Sequence, residues 1–98
     1  MREIPCGVKV NKKKFNGLIS VSIQGVVIKK KGILRTQTKY FIPYSSIISV
    51  NFSKKLFSFK LKIVYHHGVS VDEINIEGDK RLMDVYESIN RMRLNSVF

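Results

Sequence analysis

Three runs of lysine are the residues whose types and spacing bear most directly on chemistry. Lys12-Lys13-Lys14, Lys29-Lys30-Lys31 and Lys54-Lys55 place ammonium groups two or three in a row. Clustered ammonium groups attract phosphates and carboxylates without taking part in bond making. The rest of the charge pattern amplifies them. Between Ile4 and Val71 there are thirteen basic residues and no acid, while six of the seven acids fall between Asp72 and Glu87. With 18 Lys and Arg the formal net charge is +11 and the sequence pI about 10.1. Such a charge creates a positive potential that salt screens over about 10 Å at 0.1 M. The eight lysines of the three runs are therefore the candidate anion-contact residues. The partners that this potential suits are an anionic membrane surface, a nucleic acid or an acidic protein face.

Reactive constellations are absent from the pattern. His66 and His67 are adjacent, so on extended backbone they project to opposite faces and would not share one metal ion. Cys6 is the only cysteine, which excludes an intrachain disulfide and fits a reducing compartment; it reads as a small strand residue. Of the carboxylates, Asp79, Asp84 and Glu87 belong to a helix cap and its polar face, which leaves no general acid/base pair. Gly25, Gly32 and Gly68 are isolated turn glycines and form no phosphate loop. The expectation is a chain that is not an enzyme, with no cofactor, no metal and no small-molecule substrate.

The elements that must position the lysines are mostly strands. Ile19, Val21 and Ile23 alternate with Ser20 and Ser22, Gln24-Gly25 turns the chain, and Val26-Val27-Ile28 leads back. A short strand over Gly7 to Val10 precedes them, with Asn11 to Lys14 as a basic loop tip. Lys29 to Lys31 end the return strand at Gly32, which the reversal predicts at positive φ, and Gly32 to Gln37 is a loop carrying Arg35. Lys39 to Ile42 forms a strand that stops at Pro43, which lacks an amide proton. Ile48, Val50 and Phe52 alternate with Ser49 and Asn51 as the next strand, followed by a turn at Asn51 to Lys55.

The most regular strand places Phe57, Phe59, Leu61, Ile63 and Tyr65 on one face and Ser58, Lys60, Lys62 and Val64 on the other. Aromatics and lysines on opposite faces argue against base stacking on single-stranded nucleic acid. After a turn at His66 to Gly68, Val69, Val71, Ile74 and Ile76 change parity, which predicts a β-bulge near Asp72-Glu73. From Asp79, the expected N-cap, the period becomes helical: Leu82, Val85, Tyr86, Ile89 and Met92 recur through Arg93, with Arg91 and Arg93 in the last turn. The 98 residues are one domain, without a membrane-spanning run or an export signal, so the expected compartment is the cytoplasm, with peripheral contact at a membrane.

Gly17-Leu18-Ile19, Gly25-Val26-Val27-Ile28 and the segment Tyr40 through Val50, with its Ile-Pro-Tyr core, resemble the strand motifs of the compact bacterial pleckstrin-homology-like family. The resemblance covers Gly17 to Leu94. It implies a mainly β, α+β fold: a partly open barrel of about seven antiparallel strands capped by one C-terminal amphipathic helix. It also implies a binding or scaffold module that associates with a protein partner or with itself, and that touches an anionic membrane surface electrostatically. Specific phosphoinositide recognition is not implied, because Leu18 to Ile23 lacks the basic residues of that motif. The alternative reading is a small basic nucleic-acid-binding β-barrel domain.

Overall fold

Alternating aliphatic and polar positions become strands because only one face of a sheet can be buried. The computed structural model describes residues 2–97, with side chains through residue 94. Its strands are β1 (Ile4–Val10), β2 (Lys13–Val21), β3 (Gly25–Lys31), β4 (Thr36–Pro43), β5 (Ile47–Lys54), β6 (Phe59–His67) and β7 (Ser70–Gly78), and they precede one helix, α1 (Leu82–Val97). All pair antiparallel in one open sheet of order β4-β3-β2-β1-β7-β6-β5.

This order forces the sheet to curl. Laid flat, edge strands β4 and β5 would stand about 29 Å apart at the usual strand spacing. They are joined only by the 3-10 turn Tyr44–Ser46, and the span from Pro43 to Ile47 is at most about 14 Å. The two edges therefore come round toward each other without pairing, and the fold is a partly open barrel. One core draws on every strand, from Ile4 and Val8 through Ile28 and Ile42 to Leu61, Ile63 and Ile76, and among the described residues it buries no charged side chain.

Helix α1 covers a mouth of the barrel, packing on the 3-10 turn, β5, β2 and β6. Its stripe Leu82, Val85 and Ile89 is fully buried. Phe52 of β5 stacks at 5.7 Å on Phe59 of β6 and at 5.6 Å on Tyr86 of α1, joining the three elements. Asp79 is not the N-cap expected, since α1 begins three residues later; its Oδ1 accepts from the Arg81 backbone N–H at 2.9 Å, shaping the link that leads from β7 into the helix, and the Arg81 guanidinium clamps its carboxylate. Those bonds hold the Asp79 carboxyl below its usual range.

Several sequence expectations are corrected. β1 begins at Ile4, β4 already at Thr36, and Lys13 and Lys14 head β2, so that the loop tip is only Asn11-Lys12. Ile23 lies in the β2–β3 turn, 85% exposed, because Ser22 closes that turn by bonding to Gly25. Phe57 is likewise outside β6 and exposed. No bulge interrupts β6 and β7; their register is uniform, and Val71 simply faces solvent. The bulges fall elsewhere, at Lys39 in β4 and at Ile48 in β5, where the extra residue turns Ile48 outward and Ile47 inward. Gly32 does not take positive φ, as Asn11 and Gly68 do; a Cβ there would lie 2.5 Å from the Arg35 carbonyl oxygen, so close approach is what requires glycine. Because α1 continues to Val97, Arg91 and Arg93 are not in its last turn. Arg93 instead donates to the Ile48 carbonyl at 3.1 Å, holding α1 to the β5 bulge.

Placing a carboxylate on the buried stripe leaves an unpaired charge in the core at a cost of several kcal/mol, a large part of a small domain's stability. Leu82→Asp and Ile89→Asp are each expected to abolish the cooperative thermal transition. Unchanged melting of both variants would remove α1 from its closing role.

Candidate anion-contact surface

The antiparallel ladder puts alternate turns on the same side of the sheet. The β1–β2 turn, the β3–β4 turn and the β6–β7 turn all lie where β1 ends, since β7 extends past the Val10–Ile74 pair towards Ser70. The β1–β2 turn is tight because Asn11 adopts φ 57°, a conformation asparagine tolerates. It carries Lys12 and delivers Lys13 and Lys14 into β2. The β3–β4 turn is closed by the Gly32 N–H donating to the Arg35 carbonyl at 3.0 Å. Lys30 pairs with Gly17 across β2 and β3, so Lys31 and the turn beyond it reach the level of Phe15 and Lys14.

Two hairpins side by side place their turns about 10 Å apart, roughly the screening length at 0.1 M salt. Their potentials therefore overlap. Lys12, Lys13, Lys14, Lys30, Lys31 and Arg35 share this side, and among the described residues no carboxylate lies within ion-pair distance of any of them. The Lys30 ammonium stands 5.9 Å from the centre of the Phe15 ring, which fixes its position over β2.

The other sequence candidates lie elsewhere. Lys29 points outward from the sheet and pairs with Glu3 at 2.6 Å. Lys54 ends β5 and Lys55 opens the β5–β6 turn, which starts only there because Asn51 to Lys54 pair with β6 rather than turning as expected; both lie on the opposite side, where β1 begins and Phe59 meets Gly78. Lys60 and Lys62, on the outer face of β6, are matched by Glu77 at 3.7 Å and Glu73 at 3.3 Å across β7. The Asn75 amide, and then Lys62, hold the Glu73 carboxyl below its ordinary value. Five of the eight candidate lysines are brought together and three are not.

Beside the basic turns an open cleft of about 580 Å³ crosses β1, β2, β6 and β7, bordered by Lys9, Lys14, Asn16, Asn75 and the Lys60–Glu77 pair. It offers cations, amides and one carboxylate, that of Glu77, which pairs with Lys60. His66 and His67 are both exposed at the end of β6. Among the described residues no group of three His, Cys, Asp or Glu side chains could hold a metal ion, and no helix is long and apolar enough to cross a membrane. No protein-family model matches the chain, and no curated protein is significantly similar to it in sequence.

Sequence reasoning passed over two features of this side. Ile33 and Leu34, within the turn read only as a carrier of Arg35, are fully exposed. The signal was present as two adjacent aliphatics inside a turn flanked by cations. Val69, at the tip of the β6–β7 turn, is equally bare.

Cys6 faces inward on β1, and burial pushes its thiol up to about 11, partly opposed by the field of Lys31. A raised folded-state value keeps its stabilisation complete below the unfolded value near 9 and loses it as pH rises through about 11. Urea denaturation is expected to show stability falling between pH 9 and 11, with Cys6→Ala removing on the order of 1 kcal/mol of that decline after allowance for the solvent around a half-buried thiol. Burial raises Tyr44 and Tyr65 as well, so part of the decline remains in the variant. An identical alkaline profile in both proteins would contradict the buried thiol.

Proposed function

We propose that this chain is a non-enzymatic binding module of the pleckstrin-homology-like kind, which docks on an anionic membrane surface through the side of the sheet that carries the β1–β2 and β3–β4 turns. The observation that carries this reading is the collection of six cations at the ends of two adjacent hairpins without a carboxylate among them. A basic residue near an anionic bilayer contributes roughly 1 kcal/mol, so six together suffice for reversible attachment. The likeness to the pleckstrin-homology-like layout rests on seven antiparallel strands curled into an open barrel with a C-terminal helix across one mouth. The work of such a module is association, at the cytoplasmic face of a membrane.

A second contact is supported by the open edges. β4 and β5 each leave one row of backbone groups without a strand neighbour, and such an edge accepts a strand from a protein partner or a second copy. Both edges are interrupted by a bulge, at Lys39 and at Ile48, which confines pairing to short segments.

The test is co-sedimentation at 0.15 M salt with phosphatidylserine-containing vesicles, with neutral phosphatidylcholine vesicles, and with duplex DNA as competitor. Retention on the anionic vesicles alone is expected. Replacing Lys12, Lys13 and Lys14 together by Gln should weaken it about a hundredfold with melting unchanged. Displacement by stoichiometric DNA would favour the nucleic-acid reading. Retention on neither vesicle would reduce the charge to solubility and leave the protein partner.

A further inference from the structure

We infer that Ile33 and Leu34 are a wedge that enters the acyl region of the bilayer when the basic turns meet its headgroups. This rests on the membrane reading above and adds to it how the surface is engaged. Ile33 is 102% and Leu34 96% exposed, so neither contributes to the core of this fold. A four-residue turn closed by one backbone bond favours polar residues and glycine, and Gly32 already supplies the close approach that the reversal needs. Two aliphatic side chains at its tip are thus unexplained by folding.

The surroundings state what they suit. Lys30 and Lys31 end β3 just behind the tip, Arg35 closes the turn before β4, and Lys12 to Lys14 lie at the end of the neighbouring hairpin. Along the β3–β4 hairpin itself, Lys30 and Lys31 come first and the aliphatics last, and by register Lys13 and Lys14 of β2 stand level with its tip. A bilayer presents the complementary order, anionic headgroups and then hydrocarbon within about 5–10 Å. Lys and Arg stems lie along apolar surface while their charged ends stay at headgroup level. A nucleic acid or a soluble anion would satisfy the cations and leave both aliphatics in water. Val69, 104% exposed, is a further apolar point at the same end of the sheet. Leu56 and Phe57 are also exposed next to lysines, but their turn stands on the opposite side, where the adjoining β7–α1 link sets Lys80 and Arg81 beside the Asp79 carboxylate, and it provides the internal control.

The chain has no tryptophan, so a single one reports its own surroundings. Leu34→Trp is expected to shift its emission to the blue on phosphatidylserine vesicles and to be quenched by brominated acyl chains, whereas Leu56→Trp should do neither. The double variant Ile33→Ser with Leu34→Ser should bind these vesicles at least about tenfold more weakly with an unchanged melting temperature. If the wild type is retained on vesicles while Trp at position 34 stays unquenched and the serine variant binds equally well, the wedge is overturned and electrostatic docking stands. If the wild type is not retained at all, both are overturned. Quenching at position 56 instead of 34 would place the contact on the other side and also reject the wedge.

Discussion

The three-residue link Tyr44–Ser46 is the constraint on which the rest of the molecule depends. Too short to bridge a flat seven-stranded sheet, it makes the open edges converge and turns one sheet into the wall of a core. Tyr44 is buried at the point of convergence, and its hydroxyl donates to the Ser22 carbonyl of the β2–β3 turn. That bond ties the corner between β4 and β5 to the neighbouring β2–β3 hairpin, whose Gly25 pairs with Pro43, and satisfies a hydroxyl that would be costly to bury alone. Pro43 ends the edge strand at the same corner. The helix then rests on this corner, through the 3-10 turn and through Arg93 at the Ile47 and Ile48 carbonyls.

The placement of charge follows from antiparallel pairing. Alternate turns fall on the same side of a sheet, so lysines 12 to 14 and 30 to 31, remote in sequence, become neighbours. Two of the three acids of β7 lie on the outer face, Glu77 opposite Lys60 and Glu73 diagonal to Lys62. Exposed pairs of that kind add little stability. What they change is the field: the outer face of β6 and β7 is close to neutral, and the unbalanced charge is left at the turns.

Much of this was legible in the sequence, and the exceptions have physical causes. Strict alternation located Leu61, Ile63 and Tyr65 in the core, and helical spacing located Leu82, Val85 and Ile89. Alternation failed at strand ends. Ile23 and Phe57 keep the parity of their strands yet fall in turns, because hydrogen bonds of Ser22 to Gly25 and of Lys55 to Ser58 close the chain before them. Val71 mimicked a bulge because an outward valine on an exposed hairpin looks like a change of register. The bulges at Lys39 and Ile48 carried no local signature; they arise where the edges bend to meet. For the site, the basic runs were visible but their grouping was not, since which turns share a side depends on strand order. Lys29 left the group through Glu3, a contact that no spacing could announce.

A site built by topology is defined by its side of the sheet, and the most direct test is to see which side a membrane covers. Amide chemical-shift mapping of the isotopically labelled protein on anionic nanodiscs reads this residue by residue. The account predicts that perturbation and broadening concentrate together at residues 11–14, 30–35 and 67–70, with residues 54–58 and the outer face of β6 and β7 unaffected. Changes centred on the β5–β6 turn, or spread along the β4 or β5 edge, would contradict it.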